Sequence, residues 1–248
     1  MVLAMRFGAF DFKPARWPTI ITLLLLALMT WLGFWQLERA NWKQALVDTH
    51  EGRTRLSPIA LRPGAEIDDE VQYRRVFARG YYDMEHQLLL DNKTYQGHAG
   101  YQVLTPLHLA ESDAVVLVNR GWVPLGKSRA ELPELPGTDG EVLVDAMVQL
   151  PPTKLFRLAE VDEVNAAWPK VVQQVEMGEL EQLLGVPLEP LTLLLDKDDA
   201  FGFIRDWKAV YGVTVDKHRA YAVQWFTLAA VLLLIYISVN SKRISNEK

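Results

Sequence analysis

Two long uncharged stretches dominate the pattern of hydrophobic and polar residues along the chain. One is residues 17–37, WPTIITLLLLALMTWLGFWQL, and the other is residues 220–239, AYAVQWFTLAAVLLLIYISV. A helix of roughly 20 apolar residues crosses a hydrocarbon core about 30 Å thick. The first stretch ends in bulky residues and not in the small residues of a signal-peptide cleavage site, so we expect it to be retained. The pattern predicts two transmembrane helices, at residues 17–37 and 218–239.

The segment between the spans has a different pattern. Short runs rich in β-branched and aromatic residues alternate with turn residues, which favours strands. These runs are residues 71–83, 86–95, 100–109, 113–125, 140–150, 189–198 and 209–216. We therefore expect a small β-dominated domain of about six or seven strands.

Three further segments complete the expected fold. Residues 38–55 have few helix breakers and should extend the first helix a few turns beyond the membrane, whereas residues 56–70 contain two prolines and a glycine and predict a loop. Residues 176–185 predict a short helix that ends at Gly185. The fold class is that of an α+β membrane protein, with two transmembrane helices flanking a β-dominated extracytoplasmic domain.

The residues that flank the spans predict an orientation. Each short tail, residues 1–16 and residues 240–248, contains three basic residues and one acidic residue. Basic short tails favour the cytoplasmic side, whereas long segments are translocated largely regardless of charge. We expect both termini in the cytoplasm, residues 38–217 in the periplasm, and the spans in a bacterial inner (plasma) membrane.

Composition excludes several kinds of function. The chain has 248 residues, no cysteine and a formal net charge of -5. Disulfides and thiolate metal sites are excluded, and the acidic balance argues against nucleic-acid binding. The short motifs of nucleotide-binding loops, zinc hydrolases and serine hydrolases do not occur, and the five histidines lack metal-ligand spacing. The sequence therefore does not predict an enzyme.

Two strand segments combine arginine with aromatic residues. An exposed strand face with cation–π contacts is one interpretation. The other is a partner interface, because arginine, tyrosine and tryptophan are favoured at interface centres. The candidate interface residues are Tyr73, Arg74 and Arg75 in the first segment and Arg120 and Trp122 in the second.

The more specific polar residues lie where the two spans meet the extracytoplasmic domain, at the end of the first span and the start of the second. We call this region the lip. His218, Tyr221 and Trp225 follow i, i+3, i+7 and so share one face of the second helix. Gln36 and Arg39 end the first span, three residues apart. The histidine could be an axial ligand to haem iron or a histidine wetted by lipid headgroups. Spacing alone favours the headgroup interpretation, because a lone histidine has no obligate partner.

Several segments together are similar to one known family. The chain resembles the Surfeit locus protein 1 family, from about residue 17 to residue 240, in the segments LGFWQLERANWK, YRRVFARGYYD, GYQVLTPL, VLVNRGWVP and HRAYAVQWFTLA, which occur in the family's order. Members of that family assist the assembly of haem–copper terminal oxidases. The resemblance implies the architecture expected above, with two spans and a domain outside the cytoplasm.

The resemblance also implies roles for particular residues. Bacterial members of the family are thought to bind haem a and to aid its insertion into subunit I of cytochrome c oxidase, with haem a synthase as a further partner. On that basis His218 is the candidate ligand of the haem iron. The other candidate haem-contacting residues are Tyr221, Trp225, Trp35, Gln36 and Arg39. The alternative function is a scaffold that stabilises an oxidase subunit without a cofactor.

Overall fold

The computed structural model describes residues 5–7, 10–64, 68–110, 112–126, 131–151, 167–209 and 212–243. In chain order the elements are β1 (Met5–Phe7), β2 (Phe10–Phe12), α1 (Arg16–Thr54), β3 (Ile59–Ala60), β4 (Arg75–Tyr82), β5 (Leu88–Tyr95), β6 (His98–Leu109), β7 (Val115–Pro124), β8 (Glu141–Gln149), β9 (Lys170–Val172), α2 (Met177–Leu184), β10 (Leu188–Leu195), α3 (Val215–Asn240) and β11 (Ser241–Arg243). The chain divides into two compact units, Met1–Thr49 with Ala209–Lys248 and His50–Lys208.

The first unit contains the two long helices. Both α1 and α3 are long and apolar enough to cross a membrane, and only 11% of the most apolar window of each is buried. The core helix of a soluble protein would be buried, so this exposure fits helices that face lipid. α1 continues past the predicted span to Thr54, as expected for residues 38–55.

Side chains of α1 and α3 contact each other along the length of the pair. Near one end, the hydroxyls of Thr19 and Tyr236 are 2.6 Å apart. Further along, a Cβ at Gly33 would lie 2.6 Å from the ring of Phe226, so only glycine leaves room for that ring. The buried residues of the pair include Gly33, Ala40, Ala222 and Ala229, and small residues of this kind are typical of helix contacts in membranes.

A three-stranded antiparallel sheet lies at the ends of the long helices in the first unit. Its strand order is β1-β2-β11. Asp11 of the central strand β2 is the register partner of Arg6 in β1 and of Lys242 in β11. The sequence pattern predicted no regular structure for these tails. Residues 1–4, 8–9 and 244–248 of the predicted tails lie outside the described residues.

The second unit is built on an eight-stranded sheet. Its order is β3-β4-β8-β10-β7-β6-β5-β9, and β4 also pairs with β6. The extra pairing closes β4, β8, β10, β7 and β6 into a barrel. At the closure Gly80 is opposite Leu109, and a Cβ on Gly80 would lie 2.2 Å from the carbonyl oxygen of His108. Glycine is therefore required where β4 meets β6.

The barrel interior holds the largest apolar cluster of this unit. It consists of side chains from the five barrel strands: Val76, Ala78, Leu107, Leu109, Val116, Val118, Val144, Ala146, Val148, Leu191, Leu193 and Leu195. Alternate residues of β4 point inward and are buried, while Phe77, Arg79 and Tyr81 between them are exposed. The period-2 pattern of the sequence therefore corresponds to an inside and an outside of the barrel.

Most of the expected elements are present, and one is not. The strands predicted within residues 71–150 and 189–198 and the helix that ends at Gly185 are confirmed, with Gly185 in the left-handed conformation at φ 71°. The strand predicted at residues 209–216 is wrong for its described residues. Thr214 caps α3 by accepting a hydrogen bond from the backbone N–H of Lys217, so the helix begins at Val215. Val210 and Tyr211 lie outside the described residues.

Candidate functional site

A hydrogen bond joins the two predicted lip residues of the helical unit. His218 Nδ1 and Gln36 Oε1 are 2.6 Å apart. Gln36 lies three residues after Gly33 and four before Ala40, and His218 lies four before Ala222, so both are on the faces through which the helices meet. His218 is consequently buried, at 8% exposure.

This contact fixes how the imidazole can act. The amide oxygen of Gln36 only accepts, so Nδ1 must be the donor. In the neutral ring, Nε2 then carries a lone pair, which is the form that ligates metals. No hydrogen bond to Nε2 occurs within the described residues.

Basic side chains surround the lip. Lys43 is buried at 8% exposure, and its ammonium donates to the carbonyl oxygen of Val213. The exposed guanidinium of Arg39 stacks over Trp42, 4.6 Å from the ring centre. Lys43 lies seven residues after Gln36, on the same face of α1, a periodicity that could have identified it from sequence.

The remaining predicted haem-contacting residues lie around the lip without touching the histidine. Tyr221 and Trp35 are exposed, at 46% and 42%, and Trp225 is half-buried. Among described residues, no hydrogen bond or ring contact links any of them to His218. Helical spacing places Tyr221 and Trp225 on the same side of α3 as His218, and Trp35 is adjacent to Gln36 in the chain.

The donor set at the lip suits one kind of metal group. In the described ranges, no three His, Cys, Asp or Glu side chains converge as a metal site. A bare zinc ion needs about four protein or water ligands. Haem iron already has its macrocycle nitrogens and needs only an axial donor, which a single histidine can supply. The residues present therefore fit haem and not a bare ion.

The structure buries two of the residues predicted for a partner interface. Arg120 and Trp122 are 1% and 8% exposed, and so they do not form an accessible surface. The physical reason is that β7 is a central strand, paired on both sides by β6 and β10. Trp122 donates to the carbonyl oxygen of Lys93 and packs beside Tyr95.

Arg120 is instead the centre of a buried polar network. Its guanidinium donates to the carbonyl oxygens of Phe201 and Pro136 and to Gln87 Oε1, at 2.8, 2.9 and 3.1 Å. Burial, the largest influence, lowers the pKa of Arg120. Burial likewise raises the pKa of Tyr82, whose ring lies 5.5 Å from the Arg120 guanidinium carbon. The network ties three loops to the barrel.

The other predicted interface residues lie at the start of β4 and are half-buried. Tyr73 has the left-handed φ of 65°, and its ring meets the edge of His50. Arg75 pairs with Asp196 at 3.5 Å. Arg74 has a guanidinium nitrogen, Nη1, that is shielded from solvent and has no hydrogen-bond partner.

An exposed patch lies on the outside of the barrel, largely within the segment YRRVFARGYYD, for which an exposed strand face was one interpretation; none of its residues was among the named interface candidates. We call it the β4–β8 patch; it comprises Phe77, Arg79, Tyr81 and Leu143. Arg79 and Leu143 are directly opposite each other on the paired strands. Phe77, Tyr81 and Leu143 are 41%, 51% and 59% exposed, which is unusual for apolar side chains grouped on a sheet. The alternation in RVFARGYY was the signal that could have found it.

Comparison with known proteins identifies the relationship. Residues 23–230 match the model of the SURF1 family. This chain belongs to the SURF1 family. The resemblance to the Surfeit locus protein 1 family is thereby confirmed. SURF1 proteins are assembly factors for cytochrome oxidase and are not enzymes.

Similar SURF1 proteins come from animals and bacteria. Surfeit locus protein 1 of Takifugu rubripes is 28% identical over 90% of this chain and 97% of its own length. Surfeit locus protein 1 of Xenopus tropicalis is 27% identical over 86% of this chain and 73% of its own length. The SURF1-like protein of Rickettsia felis is 25% identical over 91% of this chain and 98% of its own length. The SURF1 match includes both Gln36 and His218 as well as the barrel.

Proposed function

We propose that this chain is an assembly factor that receives haem a at the lip of α1 and α3 and aids its insertion into subunit I of cytochrome c oxidase. Membership of the SURF1 family supports the oxidase-assembly part of the proposal. The observation that carries the haem part is the hydrogen bond between Gln36 and His218, which leaves Nε2 of the histidine without a protein partner among described residues.

The chain's own residues have separate tasks in this proposal. Gln36 holds the imidazole in one orientation and tautomer, so that Nε2 is the donor presented to the iron. The haem supplies the redox-active iron and a large apolar ring. A single protein ligand gives a weaker hold than two, which suits a group that must be passed on.

The surroundings of His218 match the rest of the ligand. The exposed rings of Tyr221 and Trp35 offer apolar contact to the macrocycle. Exposed Arg39 and Arg219 place positive charge at the same lip, which favours the anionic propionates. Lys43 is occupied by the carbonyl oxygen of Val213 and so acts on the helix pair and not on the ligand.

The membrane arrangement is also proposed here. The two apolar helices would cross the bacterial inner membrane, with both tails in the cytoplasm and the barrel unit in the periplasm. Haem a synthase is then a membrane neighbour that could deliver the haem. Reporter fusions at each terminus and within the exposed loop around Asp113 test this orientation, and a periplasmic signal from either terminus would contradict it.

The haem proposal is tested by the absorbance of the purified protein. The chain is expressed together with the enzymes of haem a synthesis and purified in detergent, and its pigment is identified by pyridine haemochrome. We expect haem a with an imidazole-ligated spectrum in the unaltered chain. In His218→Ala, bound haem should fall at least about tenfold, and added imidazole should restore part of the spectrum.

A matched variant separates ligation from general damage. His98→Ala removes an exposed histidine at the start of β6 and should keep the full spectrum. An unchanged spectrum in His218→Ala would remove this histidine as the ligand. Absence of pigment in every variant, including the unaltered chain, would contradict haem binding itself while leaving the family assignment in place.

The second candidate function is a cofactor-independent scaffold for an oxidase subunit. The observation in its favour is the β4–β8 patch, where exposed aromatic and arginine side chains resemble the centre of a protein interface. Oxidase assembly in cells discriminates the two functions. The scaffold predicts that Phe77→Ser with Tyr81→Ser abolishes assembly while His218→Ala does not, and the haem proposal predicts the reverse.

A further inference from the structure

The barrel unit contains a pocket at one end of the closed sheet. Its volume is about 300 Å³. Val76, Val148 and Leu191, which belong to the barrel core, form part of its lining, and β3 covers it from the side with Ile59 and Ala60. Barrel mouths are among the places where proteins bind small molecules. All described residues that line the pocket belong to the barrel unit.

One wall of this pocket carries a positive charge that none of the described residues pairs. Arg74 lines the pocket, its Nη1 is shielded from solvent without a hydrogen-bond partner, and its guanidinium forms no ion pair in the described part of the chain. An arginine cannot lose its proton to escape this situation. Nη1 has no surface facing the pocket, so a ligand would meet the other guanidinium atoms of Arg74. A ligand that brings a negative charge into the pocket would supply the ionic partner that the described residues do not.

The nearest charged groups do not neutralise this arginine. Glu189 also lines the pocket, but its Oε1 accepts a hydrogen bond from the backbone N–H of Gly64 at 3.0 Å. Neither Arg74 nor Arg62, the second arginine of the lining, forms an ion pair with Glu189 in the described ranges. Among the described residues, the lining therefore combines an apolar interior with two arginines and one glutamate, an excess of one positive charge.

We propose that this pocket binds a small amphipathic monocarboxylate, with the apolar chain against Val76, Val148 and Leu191 and the carboxylate against Arg74. The planar guanidinium matches a carboxylate, with which it can form two parallel hydrogen bonds. At about 30 Å³ for each water-sized group, the volume accommodates roughly ten non-hydrogen atoms. A medium-chain fatty acid such as octanoate has about this size.

The test uses the full chain in lipid nanodiscs and fluorine NMR. The probe is octanoate with a terminal trifluoromethyl group, and empty nanodiscs give the background from partition into lipid. We expect line broadening of the probe beyond that background, saturating with concentration. The alcohol with the same fluorinated chain should bind at least about tenfold more weakly, because it lacks the charge that pairs with arginine.

Matched variants assign the binding to the pocket. Arg74→Gln should weaken octanoate binding at least about tenfold and leave the alcohol unchanged. Arg79→Gln removes the same charge from an exposed position of β4, five residues further along the chain and outside the pocket lining, and should have no effect. Ala60→Phe places a large ring at an exposed position of the lining and should reduce binding of both probes.

The outcomes are decisive in both directions. Binding that depends on Arg74 and on the carboxylate supports the proposal. No signal above empty nanodiscs, or equal binding of acid and alcohol, overturns it. Circular dichroism of each variant verifies folding, and Ala60→Phe provides the test of location should Arg74→Gln fail to fold. None of these measurements involves haem or oxidase assembly, so they stand apart from the function proposed above.

Discussion

Arg120 in the barrel unit and His218 in the helical unit are both polar side chains removed from solvent, and they differ in how completely they are bonded. Each nitrogen of the Arg120 guanidinium donates to a protein acceptor. His218 uses one ring nitrogen on Gln36, and its other nitrogen has no partner among the described residues. The first is 1% exposed and the second 8%.

This difference in hydrogen bonding distinguishes side chains that stabilise the fold from side chains that can bind a ligand. A buried group whose capacity is fully used holds its neighbours in place and has nothing left for a ligand. A buried group with unused capacity is unfavourable unless something else fills it. His218 and Arg74 are of this second kind, one beside an aromatic lip and the other in an apolar pocket. Substitutions of groups of both kinds test this distinction.

Replacing the fully bonded arginine should cause the largest loss of stability. Arg120→Met nearly keeps the side-chain volume but leaves the carbonyl oxygens of Phe201 and Pro136 without this donor and Gln87 Oε1 with only the Thr105 hydroxyl. We expect the free energy of unfolding to fall by about 3 kcal/mol or more. That corresponds to a Tm lowered by roughly 6–12 °C. Thermal melting of the full chain in detergent measures it.

Haem binding at low temperature should survive this substitution, because Arg120 belongs to the other unit. Arg79→Met provides the control, since this arginine is exposed and its contact with Glu141 is 3.7 Å long. Its effect should stay within about 0.5 kcal/mol. A Tm for Arg120→Met equal to that of the control would show that the network is not structural.

Filling the space at Gly33 should separate the helices and thereby disturb the site indirectly. Gly33→Val places branched carbons where the Phe226 ring lies, a clash that costs about 1–3 kcal/mol. The chain has no cysteine, so Thr19→Cys and Tyr236→Cys give a clean pair for crosslinking in membranes with a short bifunctional thiol reagent, which spans the distance that the tyrosine ring now fills. We expect the crosslinking yield to fall in Gly33→Val.

Two further variants make this crosslinking result specific. Gly52→Val, on the same helix with open space around it, should leave the yield unchanged. Adding Phe226→Ala to Gly33→Val should restore it, because the ring that clashes is gone. Failure of the restoration would mean that Gly33 matters for a reason other than this contact.

The sequence pattern predicted much of the fold because apolar spacing reports burial directly. The two spans and the strands of the barrel were expected from uncharged length and from alternation in segments such as RVFARGYY. Strand pairing was not predicted, because the closure of β4 on β6 depends on contacts far apart in the chain. The short strands β3 and β9 have too few residues for a pattern.

The candidate site was predicted in part. Helical spacing placed Gln36 and His218 at the ends of their spans, but only the packing of α1 with α3 shows that the two side chains meet. Arg120 was predicted at a partner interface because arginine and aromatic residues are favoured at interface centres. Its burial follows from the central position of β7, which a single strand's sequence does not reveal. Unused hydrogen-bonding capacity is likewise visible only in three dimensions.

Removing the partner of His218 should weaken ligand binding without abolishing it. Gln36→Leu leaves a shorter, apolar side chain that cannot accept the Nδ1 proton, so the imidazole loses its fixed orientation. Loss of such a supporting contact typically costs about 10–100-fold in affinity. Haem titration of the purified variant measures this effect, which rests on the proposed function.

Gln44→Leu provides the comparison for this substitution. Gln44 lies two turns further along α1 and contacts Arg219 and Asp48 instead of the histidine. We expect its haem affinity to match that of the unaltered chain. Equal affinities in all three proteins would show that the Gln36 contact holds the helices together and does not prepare a ligand.

The smallest effect concerns a surface ion pair, where solvent weakens every contact. Burial alone would raise the pKa of Asp83, but hydrogen bonds from the side chain and backbone of His86 outweigh it, and the pKa is lowered. The Nδ1–Oδ2 distance is 2.7 Å. Because the folded pKa lies below the unfolded one, ionised Asp83 stabilises the fold above pH about 4. That contribution is lost as the pH falls through the folded pKa.

Asp83→Asn should therefore lower the Tm slightly at pH 7, and the difference from the unaltered chain should disappear in acid. Asp113→Asn, which removes an exposed carboxylate before β7, should show neither effect. Asp83, like Arg120, has hydrogen-bond partners in the protein, but it lies near solvent. Comparing the two substitutions therefore separates the contribution of the hydrogen bonds from that of burial. If Asp83→Asn costs as much as Arg120→Met, satisfied bonding alone stabilises the fold. If it costs little, burial of the bonded group is what gives the Arg120 network its strength.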